Sequence, residues 1–272
     1  MSARPYAEVI GDPIDHSLSP VIHGFWLEAL GIDARYGRHK VGRAGLPDYL
    51  AERRIDPHWR GSNVTMPLKL DAVALADSAA DRAVTAGAAN LLIMRDGKLV
   101  AANTDVGAIA TLLGRLHEAK SPLGSVTLLG NGGAARAALV ALKLAGIAAV
   151  RIQARDLGEA LKLAVEFGLK AEPAPFTAEI VSDGLINATP LGMAGNDCLN
   201  CELSHMPDRG WVFDMVYNPS DTPLVQSARG RGLTVVTGLD MLVEQAAASF
   251  KLLFGQEPPR DRDGELWQRF KQ

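Results

Sequence analysis

The sequence is poor in the residues that mark disulfide-rich, membrane and nucleic-acid-binding proteins. It contains 2 cysteines, 6% aromatic residues and no uninterrupted apolar run of membrane-spanning length. Two cysteines cannot form a disulfide framework for a chain of this size. So few aromatic residues also offer no stacking surface for a series of bases.

Charge of either sign is not in large excess. The 28 Lys and Arg residues face 31 Asp and Glu residues, which gives a formal net charge of −3. No surplus of positive charge exists to hold a phosphate backbone, and the amino terminus lacks the apolar stretch of a secretory signal. We therefore expect a cytoplasmic protein that binds neither nucleic acid nor a membrane.

The composition is that of a globular protein with two domains. The chain has 272 residues, of which 47% are hydrophobic and 22% charged. A polar segment at residues 118–124 separates two parts. Beyond it, strands alternate with helices, which predicts an α/β fold with a parallel sheet. The predicted strands there are 125–129, 149–154, 184–187, 211–215 and 234–237, and the predicted helices are 134–145, 157–167, 241–254 and 265–270.

A glycine-rich loop directly follows the apolar strand at residues 125–129. Gly130, Gly132 and Ala135 fill the three positions of the dinucleotide fingerprint, with Asn131, Gly133 and Ala134 between them. The first glycine permits a tight turn, the second permits close approach of a pyrophosphate, and the small third residue lets helix and strand pack. The pattern predicts nucleotide binding; a plain tight turn is the alternative.

Two opposed signals follow the next strand. Arg155 could pair with a 2′-phosphate and favours NADP, whereas Asp156 could accept from an unphosphorylated ribose and favours NAD. Both could also be solvated charges at the start of a helix.

The first part of the chain carries polar residues that are ambiguous one by one. Ser17 and Ser19 stand at the mouth of a predicted helix, where they could hold an anion or serve as a turn residue and an N-cap. Lys69 falls in the first turn of a helix, where the helix dipole disfavours a cation. Asp105 could simply cap a helix starting at residue 106. Asn90 and Gln245 have no single interpretation.

Together, these motifs resemble those of the shikimate dehydrogenase family. They are VIGDPIDHSLSPVIH (9–23), NVTMPLK (63–69), GAAN (87–90), NTD (103–105), GNGGAAR (130–136), NATPLGM (187–193) and GLDMLVEQ (238–245). The resemblance implies a substrate-binding domain at 1–105, completed by 240–272, and a Rossmann-type dinucleotide-binding domain at 106–239. It also implies NAD(P)-dependent interconversion of 3-dehydroshikimate and shikimate in the shikimate pathway.

The resemblance further implies residue roles. Lys69 and Asp105 match the catalytic acid/base pair, and the chemistry suits them, because a cation stabilises the oxygen that becomes negative during hydride transfer to a ketone. No metal is implied. The residues implied to bind substrate are Ser17, Ser19, Thr65, Asn90, Asp105, Tyr217 and Gln245. Those implied to bind the cofactor are Gly130, Asn131, Gly132, Gly133, Ala134, Ala135, Arg155, Asp156, Thr189, Gly238 and Met241.

Departures from the family pattern leave alternatives open. Asp156 and Glu159 stand where many members have Thr and a basic residue, and these carboxylates would repel a 2′-phosphate. NADP is therefore the cofactor that the resemblance implies, and NAD is the alternative that this departure favours. Asp240 stands where Gly is common. A quinate/shikimate dehydrogenase using NAD, or a non-catalytic sensor of shikimate-like ligands, are the alternative functions. We expect a monomer or a homodimer.

A short cluster near residue 200 offers three potential zinc ligands: Cys198, Cys201 and His205. A structural zinc site needs four, and no second cysteine pair exists. We therefore interpret these as ordinary loop residues, with a metal or redox pair as the alternative.

Overall fold

The computed structural model describes residues 4–147, 149–168 and 170–270. The chain forms two compact units: unit 1 is Met1–Thr104 with Val243–Gln272, and unit 2 is Asp105–Leu242. Asp105 and residues 240–242 thus group with unit 2, whereas the sequence analysis assigned them to the substrate-binding domain. Within the described ranges, no helix combines the length and apolarity needed to cross a membrane.

Unit 1 is built on a mixed sheet of six strands. The strand order is β2-β1-β3-β5-β6-β4. The strands are β1 (Tyr6–Gly11), β2 (Arg35–Lys40), β3 (Trp59–Val64), β4 (Ser78–Ala79), β5 (Leu91–Arg95) and β6 (Lys98–Ala102). β1 pairs parallel with β2 and β3, while β5 pairs antiparallel with β3 and β6. Asp96 and Gly97, with φ of 52° and 75°, form the tight turn between β5 and β6.

Short helices pack on this sheet around a core of apolar side chains. They are α1 (Ser19–Ala29), α2 (Leu46–Arg54), α3 (Lys69–Leu75) and α4 (Asp81–Ala86), with α10 (Asp263–Arg269) near the carboxyl terminus. Leu46, Trp59, Leu68, Leu92 and Leu99 are buried members of one core cluster. Two longer helices, α5 (Thr104–Glu118) and α9 (Gly238–Phe254), include residues of both units.

Unit 2 contains a second sheet of six strands, all parallel. The strand order is β12-β11-β10-β7-β8-β9. The strands are β7 (Ser125–Leu129), β8 (Ala149–Ala154), β9 (Lys170–Pro175), β10 (Gly184–Asn187), β11 (Trp211–Asp214) and β12 (Thr234–Val236), and the helices between them are α6 (Gly133–Leu144), α7 (Leu157–Phe167) and α8 (Pro223–Gly230). Every residue of β10 and β11 is buried, as expected for central strands covered on both faces. The predicted α/β fold is confirmed.

Two helix starts differ from the sequence expectation. Ser19 is not the N-cap of α1: the cap position is Leu18, and Ser19 is the first helical residue. Asp105 is not the cap of α5 either, because that helix already begins at Thr104. The ordinary structural explanations of Ser19 and Asp105 as caps are therefore wrong.

Candidate active site

In unit 1, the loops that carry the candidate residues all lie at the same end of the strands, where β1, β3 and β6 end and β5 begins. Ile10 pairs with Val64, so β1 and β3 end side by side. β5 begins at the same end, and β6 ends there, because Leu91 pairs with both Asn63 and Ala102. The residues that follow or precede these strand ends are Ser17, Ser19, Thr65, Lys69, Asn90 and Thr104.

The loop after β1 presents two buried hydroxyls at the amino end of α1. The Ser19 N–H donates to Ser17 Oγ at 3.3 Å, and the Ser17 N–H donates to the Ile14 carbonyl at 3.0 Å. Among the described residues, neither serine hydroxyl has a protein acceptor for its own proton. Ser17 Oγ already accepts a hydrogen bond, so its proton is free to be donated. Two such donors at a helix amino terminus suit a carboxylate.

Asn90 is held from several sides. Its Nδ2 donates to Thr104 Oγ1 at 2.8 Å, and its Oδ1 accepts from the Thr104 N–H at 2.7 Å. Nδ2 also lies 3.4 Å from Gln245 Oε1. The Asn90 carbonyl accepts from the Val64 N–H at 2.8 Å. These contacts fix the plane of the amide and bring Asn90 and Gln245 together.

A second layer of buried polar residues supports this arrangement. Ser249 Oγ accepts from Asn63 Nδ2 at 2.8 Å and lies 3.1 Å from Thr104 Oγ1. Tyr36 donates its hydroxyl proton to Asn63 Oδ1 at 2.7 Å. Asn63 and Thr104 lie in quoted motifs but have no role predicted from the sequence, and neither Tyr36 nor Ser249 is predicted at all. The signal for Ser249 was available, because it lies one helical turn after Gln245 in an otherwise apolar helix.

Thr65 and Lys69 are positioned by backbone hydrogen bonds. The Thr65 N–H donates to the Ile10 carbonyl at 2.9 Å, and the Leu68 N–H donates to the Thr65 carbonyl at 2.9 Å. Lys69 is the first residue of α3, and its carbonyl accepts from the Ala89 N–H at 2.8 Å. A half-buried lysine at this end of a helix is unfavourable for stability, which favours a functional role.

Two further residues with an implied role at the substrate belong to unit 2. Asp105 is the second residue of α5 and is only 3% exposed. It directly follows Thr104, whose N–H is bonded to Asn90. Tyr217 is half-buried and lies in the segment after β11.

The glycine loop of unit 2 has the geometry of a nucleotide cradle. Gly130 has φ of +103°, and a Cβ there would lie 3.0 Å from Thr189 Cγ2. Gly132 is the N-cap of α6, and a Cβ there would meet nothing within 4 Å. Ala135 is fully buried, as the packing role requires. Asn131 is exposed, and Gly133 and Ala134 begin the helix. The residues therefore fit a pyrophosphate approaching the first amides of α6.

Thr189 reaches this loop from the neighbouring strand. β7 and β10 are adjacent, and they are where the order of the sheet reverses, which is the usual nucleotide position in such folds. Asn187 Oδ1 accepts from both the N–H and the hydroxyl of Thr189, at 3.0 and 2.7 Å. Asn187 Nδ2 in turn donates to the buried carboxylate of Asp214 at 2.9 Å. Burial raises the pKa of Asp214, although hydrogen bonds from Thr222, Val216 and Asn187 oppose that shift.

After β8, one arginine is exposed and two carboxylates have local partners. Arg155 is exposed at the end of the strand. Asp156 is the N-cap of α7, and its Oδ1 accepts from the Glu159 N–H at 3.0 Å. The Glu159 carboxylate is paired with Lys162 at 2.6 Å. Both acidic groups are therefore engaged locally, while the Arg155 side chain extends into solvent.

Asp240, which stands where the family commonly has Gly, caps the start of α9. Asp240 Oδ2 accepts from the Thr237 N–H at 2.8 Å and from the Thr237 hydroxyl at 2.6 Å, and Thr237 Oγ1 accepts from the Asp240 N–H at 3.3 Å. This is a reciprocal capping box. A Cβ on Gly238 would lie 2.4 Å from the Val216 carbonyl oxygen, so glycine is required for close packing. Met241 is buried one turn into the helix.

The cysteine cluster has none of the geometry of a metal centre. Within the described ranges, no group of three or more His, Cys, Asp or Glu side chains is placed to hold a metal ion. Cys198 is exposed and Cys201 half-buried, both as free thiols. Burial raises the pKa of the Cys201 thiol to about 11, which disfavours the thiolate that ligation or redox chemistry needs.

Two family models match the chain. The model of the shikimate dehydrogenase substrate binding domain matches residues 9–92, and the model of the shikimate 5′-dehydrogenase C-terminal domain matches residues 238–262.

The chain is also similar to full-length relatives and to solved structures. The chain is 46% identical over 266 residues to a shikimate dehydrogenase (NADP(+)) of Sphingopyxis alaskensis, covering 97% of this chain and 96% of the relative. It is similar to the crystal structure of shikimate 5-dehydrogenase from Thermus thermophilus in complex with NADP(H) and shikimate, with 36% identity, a TM-score of 0.85 and coverage of 97% and 99%. It is also similar to quinate dehydrogenase from Corynebacterium glutamicum in complex with NAD, with 27% identity, a TM-score of 0.86 and coverage of 98% and 99%.

Proposed function

The chain belongs to the shikimate dehydrogenase family, and from this membership we propose which of its residues bind the reactants and move the proton. It is an NADP-dependent oxidoreductase that interconverts 3-dehydroshikimate and shikimate, a step of the shikimate pathway. It binds shikimate and NADP(H). NADP, rather than NAD, is therefore the cofactor.

We assign the substrate carboxylate to Ser17 and Ser19 and its hydroxyl groups to Thr65, Asn90 and Gln245. This assignment depends on one observation: β1 and β3 end, and β5 begins, side by side at the same end of the sheet, so the loops that carry these residues lie there together. The two serine hydroxyls have protons to donate, and the Asn90 amide is held in one orientation by Thr104. An immobilised polar group loses little entropy when a ligand binds. Tyr217 is assigned to the same ligand.

Lys69 and Asp105 form the proposed acid/base pair. During reduction, the Lys69 ammonium donates a proton to the ketone oxygen as negative charge develops on it; during oxidation, the neutral amine takes the proton back. Asp105 accepts a hydrogen bond from a neighbouring substrate hydroxyl and compensates the charge of the ammonium. The half-buried lysine at the start of α3 and the buried carboxylate in the first turn of α5 support these roles.

The cofactor supplies the hydride when it is bound. Gly130, Gly132 and the first amides of α6 are assigned to the pyrophosphate, with Asn131, Gly133, Ala134 and Ala135 completing the loop. Arg155 is assigned to the 2′-phosphate and Asp156 to the adenosine end. The remaining assignments, to other parts of the nucleotide, are Thr189, Gly238 and Met241. The open space beside Gly132 supports this placement.

Absorbance at 340 nm tests the proposal. Mixing the protein with shikimate and NADP should give NADPH, with a higher kcat/KM than the same reaction with quinate or with NAD. Quinate is included because of the similarity to a quinate dehydrogenase. Absence of any absorbance change with shikimate would overturn the function, and faster turnover of quinate would reassign the substrate. A monomeric or homodimeric state stays a prediction.

A further inference from the structure

We propose that Arg38 supplies the positive charge that the two serine hydroxyls lack at the substrate carboxylate, from a position fixed by its hydrogen bonds to the Ser17 carbonyl. The proposal rests on the assignment of Ser17 and Ser19 to the carboxylate. No sequence motif pointed to Arg38.

Arg38 makes two hydrogen bonds to the loop that carries Ser17 and Ser19. Arg38 Nε and Nη2 both donate to the Ser17 carbonyl oxygen, at 3.0 and 2.6 Å. Arg38 lies on the edge strand β2, where it is paired with Val9 of β1. The guanidinium therefore fastens the loop that follows β1 to the outermost strand. Because the Ser17 N–H also donates to the Ile14 carbonyl, hydrogen bonds hold both polar groups of the Ser17 backbone.

The charge of Arg38 is left without an anion. In the part of the chain that the structure describes, its guanidinium donates hydrogen bonds only to the neutral Ser17 carbonyl and makes no ion pair. Two nearby basic residues do have carboxylate partners: Lys40 pairs with Asp12 at 3.1 Å and Arg43 pairs with Asp71 at 3.3 Å. An unpaired guanidinium beside two hydroxyls that lack acceptors is complementary to an anion.

The charge matters because hydroxyl groups are neutral donors. They orient a carboxylate well but do not offset the loss of its hydration, whereas a nearby cation lowers that cost. At a partly exposed site, opposite unit charges several ångströms apart change an affinity on the order of tenfold. The nicotinamide nucleotide, held by residues of unit 2, does not depend on this interaction. Arg38 should therefore affect the KM for shikimate and not the KM for NADP.

The test compares shikimate with its methyl ester, in which the carboxylate charge is absent and the ring hydroxyls remain. Arg38→Gln removes the charge but keeps one N–H for the Ser17 carbonyl. Lys40→Gln is the matched control, since it removes a charge on the same strand that is already paired. We expect Arg38→Gln to lower kcat/KM for shikimate about tenfold, mainly through KM, and to change the ester less than twofold. Lys40→Gln should change neither substrate more than twofold.

Three outcomes would overturn the proposal. An equal loss with shikimate and its ester would show that Arg38 only shapes the loop. No loss with shikimate would remove Arg38 from the site, and an equal loss in Lys40→Gln would make the effect one of general surface charge. If the ester turns over too slowly, its Ki as a competitive inhibitor replaces KM. If Arg38→Gln fails to fold, a second pair of variants replaces it. Arg38→Lys keeps the charge but not the two hydrogen bonds from Nε and Nη2, and it must retain more activity on shikimate than Arg38→Met. Failure of the wild-type protein to oxidise shikimate would instead contradict the function itself.

Discussion

Asn90 and Thr104 exchange two hydrogen bonds: the Asn90 amide donates to the Thr104 hydroxyl at 2.8 Å and accepts from the Thr104 N–H at 2.7 Å. A backbone N–H can only donate, so the oxygen of the Asn90 amide must face Thr104 N. This relationship fixes a proposed substrate-binding amide and, at the same time, the residue that precedes Asp105. The Asn90 side chain therefore links the loop before β5 to both the backbone and the hydroxyl of the first residue of α5.

Replacing Thr104 with Val tests this pair. The variant keeps the shape but removes a buried hydroxyl that contacts Asn90 and Ser249, so we expect a loss of about 1–2 kcal/mol in the free energy of unfolding and a lower kcat/KM for shikimate. Urea denaturation measures the first quantity. Thr85→Val is the control, because that hydroxyl is on an exposed turn of α4 and bonds only the Asp81 carbonyl. Equal losses in the two variants would contradict the prediction.

Asp156 should weaken the preference for NADP. Asp156→Ser retains an oxygen that can cap α7 but removes a negative charge next to Arg155, so the KM for NADP should fall about threefold to tenfold while the KM for NAD does not fall. Initial rates with each cofactor measure the ratio. A parallel decrease for both cofactors would show that the carboxylate does not act on the 2′-phosphate.

The two glycines at helix starts should respond differently to alanine. At Gly132 the added Cβ meets open space, so Gly132→Ala should leave the melting temperature unchanged and raise the KM for NADP. At Gly238 it meets the Val216 carbonyl at 2.4 Å, so Gly238→Ala should lower the free energy of unfolding by about 2 kcal/mol. Calorimetry and initial rates separate the two effects. An unchanged KM for NADP in Gly132→Ala would remove that residue from the cofactor site.

His23 makes stability depend on pH. Its ring is fully buried, stacks on Tyr36 at 4.0 Å and, among the described residues, has no hydrogen-bond partner for either nitrogen. Burial lowers the pKa of His23 from 6.5 to about 3. Between these two values the unfolded chain binds the proton and the folded chain does not, so stability falls as the pH drops, by up to about 1.4 kcal/mol per pH unit.

His23→Phe should remove this dependence. The phenyl ring fits the stacked position and carries no unsatisfied nitrogen, so the variant should also be more stable at pH 7 by about 1–3 kcal/mol. Urea denaturation at pH 7 and pH 5 measures both effects, with the exposed His117→Gln as the control. An unchanged slope in His23→Phe would assign the dependence to other groups.

Local patterns in the sequence predicted the parts of the molecule that short-range rules govern. The strand, glycine loop and helix around Gly130 could be predicted because each follows from its own residues. β9 could not, since its sequence, KAEPAP, has two prolines and little apolar character; it forms a strand because it lies at the edge of the sheet, where prolines are tolerated. Helix α8 was missed although Thr222 and Pro223 are a cap and a first-turn proline.

Some residues of the candidate site could likewise be predicted from the sequence, and others could not. A combination of motifs predicts Ser17, Asn90 and Gln245, and the spacing after Gln245 also indicates Ser249. Arg38 carries no pattern, because only the pairing of β2 with β1 brings it to the loop of Ser17. Asp240 departs from the family pattern, in which glycine is common, yet Thr237 and Asp240 have the spacing of a capping box. That feature was present in the sequence and was not recognised.

In the proposed mechanism, Lys69 moves the proton. Lys69→Ala should reduce kcat for shikimate oxidation roughly 10²- to 10⁴-fold, while the Kd for shikimate changes only a few-fold, because other groups hold the ligand. Lys98→Ala, an exposed lysine of the β5–β6 hairpin, is the control and should keep full activity. The measurement is kcat from the rate of NADPH formation at saturating shikimate and NADP, alongside calorimetric titration of shikimate. A kcat within a few-fold of the wild-type value would contradict the mechanism.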